Sequence, residues 1–263
     1  MILVSIICPT YNWKKKWLSE AIDSVISQTY EHWELIIIND ASTNDIESTI
    51  LEYAKKDKRI IYIKNEENLK LTNTLNKGLE LAKWKYIARI DDDDIWVDPD
   101  KLQKQVDFME QNPDYGLCGT SVITIDQEGN EIAKQKSRTT DLEIRKAILQ
   151  SNQLAHSSII IRKEVLDQVG VYDPGFNMAE DYELWCRIGR VSKFYNLPDY
   201  CLKYRINLNS VSNKNRRRQL RLAFKAFWIN RKYYPNFWKA LIFRSIDYIL
   251  PQKLTQKILS LIK

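Results

Sequence analysis

Short apolar runs rich in β-branched residues alternate with segments of helical periodicity through the first 90 residues. Strands are predicted over 2–8, 33–39, 59–63 and 85–90, with helices over 14–28, 42–56 and 71–84 between them. Ser42 and Thr43 are the expected N-caps of the second helix. Continuous apolar strands separated by helices predict a parallel sheet with helices on both faces. The chain is therefore expected to be an α/β protein.

The pattern changes after Pro113. Strands are predicted over 115–126, 130–136, 157–162 and 200–206, the first two joined by a turn at Gln127–Gly129. Helices are predicted over 99–111, 140–150, 163–169 and 179–190. The second half therefore extends the α/β pattern without strict strand–helix alternation.

Charge is distributed unevenly along the chain. The net charge is +6, yet residues 214–263 contain 13 Lys or Arg and a single acidic residue. The chain therefore divides into an acidic body, 1–212, and a basic tail, 213–263.

The chain has no stretch of about 18 apolar residues that would span a bilayer, and no signal peptide is recognised. Its four scattered cysteines favour a reducing cytoplasm over a disulfide framework or a zinc site.

Four consecutive aspartates, Asp91–Asp94, follow the predicted strand 85–90. Neighbouring carboxylates about 5 Å apart repel by roughly 0.8 kcal/mol even in water. In an extended backbone Asp91 and Asp93 would point one way, and Asp92 and Asp94 the other. A hard divalent cation such as Mg²⁺ or Mn²⁺, which takes one or two carboxylates plus phosphate oxygens, would relieve the repulsion. A solvated acidic loop is the alternative.

Five blocks resemble family 2 glycosyltransferases, and they occur in the family's order. They are VSIICPTYNW (4–13), ELIIINDAST (34–43), NLKLTNTLNKGLELA (68–82), YIARIDDDDIW (86–96) and AEDYELWCR (179–187). The resemblance covers about residues 1–212. It implies a GT-A fold, a Rossmann-like and mostly parallel sheet flanked by helices, here with a basic amphipathic helical extension. It also implies inverting sugar transfer of the kind used in bacterial polysaccharide and lipopolysaccharide biosynthesis.

The resemblance assigns the nucleotide end of the donor site to the first two strands. Pro9, Thr10 and Tyr11 resemble the segment that lines the base. Asp40 resembles the aspartate that accepts a hydrogen bond from the base, which implies a preference for uridine.

The same resemblance assigns the residues that surround the diphosphate and the transferred sugar. Asp91 and Asp93 are similar to the outer residues of the family's D-x-D motif, which implies that they hold Mn²⁺ or Mg²⁺. Asp91 and Asp92 are expected to contact the nucleotide-sugar, and Arg89 to brace these groups or the donor. Asp181 resembles the general base.

Each residue also has a simpler interpretation. Pro9–Thr10 can form a plain turn, and Tyr11 can be a packing aromatic. Asp40 can cap the helix that follows it. Glu180–Asp181 can be acids favoured by the dipole of a helix N-terminus, and His156 can be a satisfied structural residue or touch the diphosphate or acceptor.

Some positions depart from the family pattern. Lys70 and Trp84 stand where glycine is common, and Asn39 where a first aspartate is usual. Asn207 replaces the histidine of a Y-R-x-H-x-x-S-x-S block, which puts a metal role there in doubt. The Q-x-x-R-W motif of processive synthases is absent, so non-processive transfer is expected.

The basic tail has two predicted helices, 216–234 and 236–250, that interleave cations with aromatic residues. Such helices bind the interface of anionic membranes, which predicts peripheral attachment to the inner face of the cell membrane. Packing of the helices on the enzyme body is an alternative. Nucleic-acid binding would use the same residue types but is not expected.

The predicted activity is metal-dependent, inverting transfer of a sugar from a UDP-sugar to a hydroxyl of a saccharide acceptor, expected to be lipid-linked. A sugar nucleotidyltransferase is an alternative, although CPTYNWKKKW (8–17) contains no glycine-rich phosphate loop. A membrane- or nucleic-acid-binding module on a degenerate fold is the alternative from another class. It would leave the order of Asp40, Asp93 and Asp181 unexplained.

Overall fold

The computed structural model describes residues 3–206 and 215–249. The strands are β1 Val4–Thr10, β2 Trp33–Asn39, β3 Ile60–Lys64, β4 Tyr86–Arg89, β5 Ile95–Trp96, β6 Tyr115–Ile125, β7 Glu131–Gln135, β8 Ile160–Arg162 and β9 Lys193–Arg205. The helices are α1 Lys15–Ile26, α2 Glu47–Lys56, α3 Lys70–Leu81, α4 Lys101–Gln111, α5 Asp141–Ile148, α6 Lys163–Val169, α7 Glu180–Ile188, α8 Arg216–Asn230 and α9 Phe237–Ile249. The prediction for Asn207 lies outside the described residues.

A single sheet organises the body. Its order is β3-β2-β1-β4-β8-β6-β9-β5, with β7 paired to β6. The strands β3, β2, β1 and β4 are parallel, as their alternation with helices predicts. Beyond β4 the sheet is mixed, because β8 runs antiparallel to both β4 and β6 while β9 runs parallel to β6.

The last strand is longer than predicted. The sequence predicts a strand only from residue 200, whereas β9 begins at Lys193. Its pairing with β6 shifts register between Leu197 and Tyr200, so Pro198 lies in an irregular stretch of the ladder. A bulge accommodates a proline because the ladder hydrogen bond is already interrupted there. The two-residue strand β5, which pairs with β9, was also not predicted.

The predicted N-caps of α2 are wrong. The helix begins at Glu47, and neither Ser42 nor Thr43 caps it. Both residues instead bind Asn12 in the loop after β1, since Ser42 Oγ accepts from Asn12 N–H at 3.0 Å and Thr43 N–H donates to Asn12 Oδ1 at 2.8 Å. These bonds join the loops that follow β1 and β2.

Two buried apolar clusters hold the fold together. One contains Ile6, Leu18, Leu35 and other side chains from β1, α1 and β2. The other includes Leu75, Trp185 and Phe227, and its members extend from α3 through α7 to α8. One face of the tail therefore packs on the body, as the packing alternative predicts. In the part of the chain that the structure describes, no helix is both long and apolar enough to cross a bilayer.

Candidate functional site

The carboxyl ends of three adjacent parallel strands meet at one edge of the sheet. Thr10 at the end of β1 pairs in register with Asn39 at the end of β2, and Ile7 pairs with Arg89 at the end of β4. The segments after these strands therefore lie side by side. Ligands of open α/β sheets bind at this edge.

Asp40 is held by the amino-terminal end of α3. Its carboxylate is buried and accepts hydrogen bonds from the N–H groups of Leu69 at 2.8 Å and Lys70 at 3.0 Å. The side-chain amide of Asn65 donates a further bond at 2.8 Å. The alternative in which Asp40 caps the helix that follows it is therefore wrong, because the N–H groups it binds belong to α3 and not to α2.

A cleft of about 450 Å³ opens beside Asp40. Ala41, Ser42, Lys64, Asn65 and Glu66 line it. Pro9 and Thr10 are buried within β1, whereas Tyr11 is 44% exposed just beyond the strand. An exposed aromatic ring and a fixed carboxylate at one sheet edge are suited to holding a planar base.

The exposure of the acidic run alternates as predicted, but the expected extended backbone is wrong, because the run forms a turn in which Asp94 N–H donates to the Asp91 carbonyl at 3.2 Å. Asp92 and Asp94 are buried, and Asp91 and Asp93 are partly exposed. Asp91 forms an ion pair with the buried guanidinium of Arg89. Its second oxygen accepts from the Ser157 hydroxyl at 3.0 Å, and the same hydroxyl accepts from Asp91 N–H at 3.0 Å.

Arg205 braces the far end of the run. Its backbone N–H donates to Asp94 Oδ1 at 2.9 Å, and its side-chain Nε donates to the backbone carbonyl of Asp93 at 2.9 Å. The guanidinium also pairs with Glu20 at 2.6 Å. Sequence reasoning did not predict Ser157 or Arg205 as site residues. Arg205 did lie in the recognised Y-R block, which is a signal that could have identified it.

The acidic run has the chemistry of a divalent-cation site. The buried oxygens Asp92 Oδ2 and Asp94 Oδ2 have no hydrogen-bond partner among the described residues. Burial, followed by the charge of Asp93, raises the pKa of both carboxyls well above the usual range. Burial and the charge of Asp91 raise the pKa of Asp93 to about 7. Burial and mutual repulsion therefore disfavour full ionisation of the run, and a bound cation would favour its ionised form.

No set of three or more His, Cys, Asp or Glu side chains within 3–206 and 215–249 could hold a metal ion unaided. Mg²⁺ and Mn²⁺ take one or two protein carboxylates together with substrate phosphates and water. The oxygens of Asp92 and Asp94 that have no partner among the described residues, and the partly exposed carboxylates of Asp91 and Asp93, fit the oxygen chemistry of such an ion.

Asp181 stands in the first turn of α7. The amide of Asn152 donates to its Oδ2 at 2.7 Å, and the N–H of Tyr182 donates to its Oδ1 at 2.6 Å. Its neighbour Glu180 is buried and accepts from Met178 N–H at 2.7 Å. Burial raises the pKa of Asp181, and burial together with the charge of Asp181 raises the pKa of Glu180 to about 7.

Arg89 links the two acidic groups electrostatically. Its positive charge lowers the pKa of both Asp181 and Glu180, although burial of those carboxyls outweighs it. The charge of Asp91 acts in the opposite direction and raises the pKa of Asp181. Arg89 thus pairs directly with Asp91 and influences the ionisation of Asp181 and Glu180 through its charge.

His156 is satisfied within the protein. Its Nε2 lies 2.7 Å from the Tyr172 hydroxyl, and its ring packs against the rings of Tyr172 and Trp185. Burial, and then the charge of Arg89, lowers the pKa of His156 well below the usual range. A neutral, packed histidine agrees with the structural interpretation.

The tail supports the segments that carry Asn152 and Asp181. From α9, Arg244 Nε donates to the carbonyl of Leu149 at 2.6 Å, just before the loop that contains Asn152. Its guanidinium also lies 4.6 Å from the centre of the Tyr182 ring, next to Asp181. This support was not predicted, because it joins residues far apart in sequence.

Solved structures with a similar fold bind nucleotide-sugars. Residues 1–349 of S. aureus TarS in complex with UDP-GlcNAc match 94% of this chain and 72% of that chain, with a TM-score of 0.72 and 15% identity. The mannosyltransferase PcManGT of Pyrobaculum calidifontis, in complex with GDP-Man and Mn²⁺, matches 87% of this chain and 64% of that chain, with a TM-score of 0.66 and 18% identity. The predicted GT-A fold class is confirmed.

Sequence relatives extend over most of the chain. An uncharacterised glycosyltransferase of Methanocaldococcus jannaschii is 35% identical over 94% of this chain and 88% of the relative. The O-antigen biosynthesis glycosyltransferase WbnJ of Escherichia coli is 33% identical over 80% of this chain and 82% of the relative. The model of the family "Glycosyl transferase family 2" matches residues 5–170. The chain therefore belongs to glycosyl transferase family 2.

Proposed function

We propose that this glycosyltransferase moves a sugar from a nucleotide-sugar, with UDP as the preferred nucleotide, to a hydroxyl of a saccharide acceptor with inversion at the anomeric carbon. The observation that carries the proposal is the position of Arg89. This buried guanidinium pairs with Asp91 and lies within the electrostatic reach of Asp181. A single displacement requires a bound donor and a proton acceptor near each other, and the charge of Arg89 acts on the proposed residues of both kinds.

On the donor side, the chain supplies a fixed nucleotide site. Asp40 keeps its orientation because three protein donors hold its carboxylate. Tyr11 and the neighbouring cleft give room for a base, and Asp91 and Asp92 lie at the adjacent strand end, where ribose and diphosphate would follow. Little reorganisation would be needed on binding.

Asp91 and Asp93 would hold Mn²⁺ or Mg²⁺ together with the donor's diphosphate. When bound, such a cation neutralises negative charge that develops on the departing nucleotide. Arg89 and Ser157 keep Asp91 oriented, and Arg205 holds the backbone of Asp93. These contacts limit the movement of the acidic run.

On the acceptor side, Asp181 takes the proton from the attacking hydroxyl. A carboxylate with a raised pKa is a better base than an ordinary one, and burial supplies that increase here. Attack on the face opposite the nucleotide inverts the anomeric centre, so no enzyme nucleophile is required. Asn152 orients the carboxylate by donating to Oδ2.

We further propose that the acceptor is a lipid-linked saccharide and that transfer is non-processive. Relatives with assigned pathways include an O-antigen biosynthesis glycosyltransferase, which supports a role in the assembly of cell-surface glycans. A lipid-linked acceptor would place the enzyme on the cytoplasmic side of the cell membrane. Peripheral attachment through the tail would keep it there.

A panel of sugar nucleotides tests the proposal. Each would be offered to the full chain with Mn²⁺, with Mg²⁺ or with a chelator, and both thermal stabilisation and release of nucleotide would be measured. We expect one UDP-sugar to raise the midpoint temperature and to be hydrolysed slowly, only with metal present. Stabilisation and hydrolysis that persist fully in chelator would refute the metal requirement, and a preference for another nucleotide would refute the uridine assignment.

A further inference from the structure

The outer surface of the two C-terminal helices presents exposed apolar side chains bordered by cations. Trp228, Trp238, Ile242 and Ile249 are 47%, 73%, 61% and 75% exposed. Such large exposed apolar side chains are unusual on a surface that contacts only water when they are contiguous. We name these four residues the apolar patch.

The patch is continuous across both helices. The ring of Phe237 lies 6.0 Å from the ring of Trp228 on α8 and 5.0 Å from the ring of Trp238 on α9. Trp238, Ile242 and Ile249 are four and seven residues apart, so they lie along one face of α9. The aromatic contacts therefore join α8 to a stripe of apolar side chains on α9.

Cations border the patch. Exposed basic side chains on α8 and in the turn after it are Arg217, Arg218, Arg221, Lys225 and Lys232. Trp228 is eleven residues, about three helical turns, from Arg217 and therefore on the same face. None of these cations forms a salt bridge within the described residues, where the tail's ion pair is Arg216 with Asp247 at 2.6 Å. Lys225 lies 4.7 Å from the centre of the Phe176 ring on the body, whereas the charges of Arg217, Arg218, Arg221 and Lys232 remain available to a partner.

The opposite side of the helix pair is attached to the enzyme. Phe227 and Ala240 are fully buried in the cluster that includes α7. Arg244 and Asn236 donate to the carbonyls of Leu149 and Lys146 on the body. The helix pair is thus held with the apolar patch facing outward.

We propose that this surface docks the protein on an anionic lipid bilayer. Lipid headgroups attract the unpaired cations, and the interface accepts Trp and Ile side chains that have no use in a purely electrostatic contact. A second copy of the chain is disfavoured, because two surfaces of this charge would repel. Nucleic acid would leave Ile242 and Ile249 exposed to water.

Docking would also bring the proposed base close to the bilayer. This point, unlike the docking itself, rests on the proposed function. α8 packs against α7, the helix that begins with Glu180 and Asp181. The helix pair therefore lies between the bilayer and the helix of the proposed base, which suits an acceptor anchored in the same lipid surface.

Vesicle flotation of the full chain tests the surface without any sugar substrate. Vesicles of phosphatidylcholine with and without phosphatidylglycerol would be mixed with wild type, with Trp228→Ser/Trp238→Ser and with Arg217→Glu/Arg221→Glu. We expect wild type to float only with the anionic vesicles, and each double variant to lose at least about tenfold in partitioning. High salt should weaken wild-type binding without ending it, because screening leaves apolar burial intact.

Matched controls alter exposed residues of the body. Ile132→Ser/Leu142→Ser removes apolar side chains of similar exposure, and Lys55→Glu/Lys56→Glu reverses two cations of α2. Both should float like wild type. Because all substituted side chains are exposed, unchanged melting temperatures would verify that the variants fold.

Three results would overturn the proposal. Equal flotation of wild type and the tail variants would show that lipid does not contact this surface. Elution of wild type as a dimer that the tryptophan substitutions dissociate, without flotation, would assign the surface to a second copy. Retention on DNA without vesicle binding would assign it to nucleic acid.

The docking proposal and the proposed function can fail separately. If no donor is ever processed but flotation behaves as expected, the proposed function fails and the docking surface stands.

Discussion

The donor side and the base side of the site are built in different ways. The donor side comprises Tyr11, Asp40 and Arg89–Asp93, each at or within four residues of the end of a parallel strand. The base side comprises Asn152, Glu180 and Asp181, which come from a loop and a helix. Backbone N–H groups hold carboxylates on both sides, at Asp40 as well as at Glu180 and Asp181. Burial raises the pKa of Asp92 and Asp93 as well as that of Glu180 and Asp181, so the two sides differ in the elements that carry them and not in these properties. The proposed division of labour, binding at the strand ends and proton transfer at the helix, therefore rests on position and is what the following variants test.

The largest effect should come from the base side. Asp181→Asn removes the proton acceptor and keeps the side-chain shape, although only one oxygen remains to accept from Asn152 and Tyr182, and kcat should fall by at least about 10³-fold. UDP affinity measured by calorimetry should remain unchanged. Asp167→Asn, an exposed aspartate of α6, is the control. Near-normal turnover of Asp181→Asn would assign the base elsewhere, with Glu180 as the next candidate.

On the donor side, Asp40→Ala should weaken UDP binding about 10- to 100-fold. It should also lower the free energy of unfolding by about 1–3 kcal/mol, because the N–H groups of Leu69 and Lys70 lose a buried acceptor. Calorimetry and urea denaturation would measure the two effects. Asp45→Ala removes an exposed aspartate from the same loop and, with it, a surface ion pair to Lys15 at 2.6 Å, so UDP affinity should stay unchanged and the free energy of unfolding should fall less than in Asp40→Ala. Unchanged UDP affinity in Asp40→Ala would remove Asp40 from the nucleotide site.

Removing the Asn152 side chain should have a smaller effect than removing the proposed base, Asp181, because Asn152 only orients that carboxylate. The Asn152 amide stabilises the ionised form of Asp181 and thereby lowers its pKa. Asn152→Ala should raise that pKa, so the acid limb of the profile of kcat/KM against pH should move to higher pH. The base is active when ionised, and activity is therefore lost as pH falls through the pKa. Gln150→Ala, in the same segment, should leave the profile unchanged, and an unmoved limb in Asn152→Ala would contradict the role.

The smallest effect concerns backbone conformation at the donor side. Lys70 has a φ of 68°, in the left-handed region that favours glycine, which is the residue common here in the family. Lys70→Gly should raise the free energy of unfolding by about 1 kcal/mol. Glu80→Gly on the same helix should lower it by about 1 kcal/mol. Urea denaturation would compare them, and a destabilised Lys70→Gly would show that the lysine side chain outweighs the strain.

The donor side could be predicted because its residues are adjacent in sequence to strong strand signals. The pattern of β2, 33–39, matches the observed strand, so the position of Asp40 follows directly. The exposure of Asp91–Asp94 alternates as expected, but the run is a turn in which Asp94 N–H donates to the Asp91 carbonyl at 3.2 Å, so its position at the end of β4 was predicted and its backbone conformation was not. Local periodicity carries this information, and no distant contact is needed.

The supports of the site could not be predicted in the same way. Ser157 binds Asp91 across 66 residues of sequence, and Arg205 binds Asp94 across 111. Such contacts depend on the order of β8 and β9 in the sheet, which the strand pattern leaves open. The caps of α2 were predicted wrongly because Ser42 and Thr43 bind the loop after β1 instead. Tertiary contacts outweighed a local preference at these residues.

The most direct test of the division between the two sides compares Asp93→Ala with Asp181→Asn in one calorimetric experiment. UDP would be titrated into each folded variant and into wild type, with Mn²⁺ and with a chelator. We predict that Asp93→Ala loses the metal-dependent part of UDP binding, because it removes a carboxylate placed to hold the ion. Asp181→Asn should bind UDP like wild type. Metal-dependent UDP binding that is unchanged in Asp93→Ala would contradict the assignment of the acidic run to the donor and its metal.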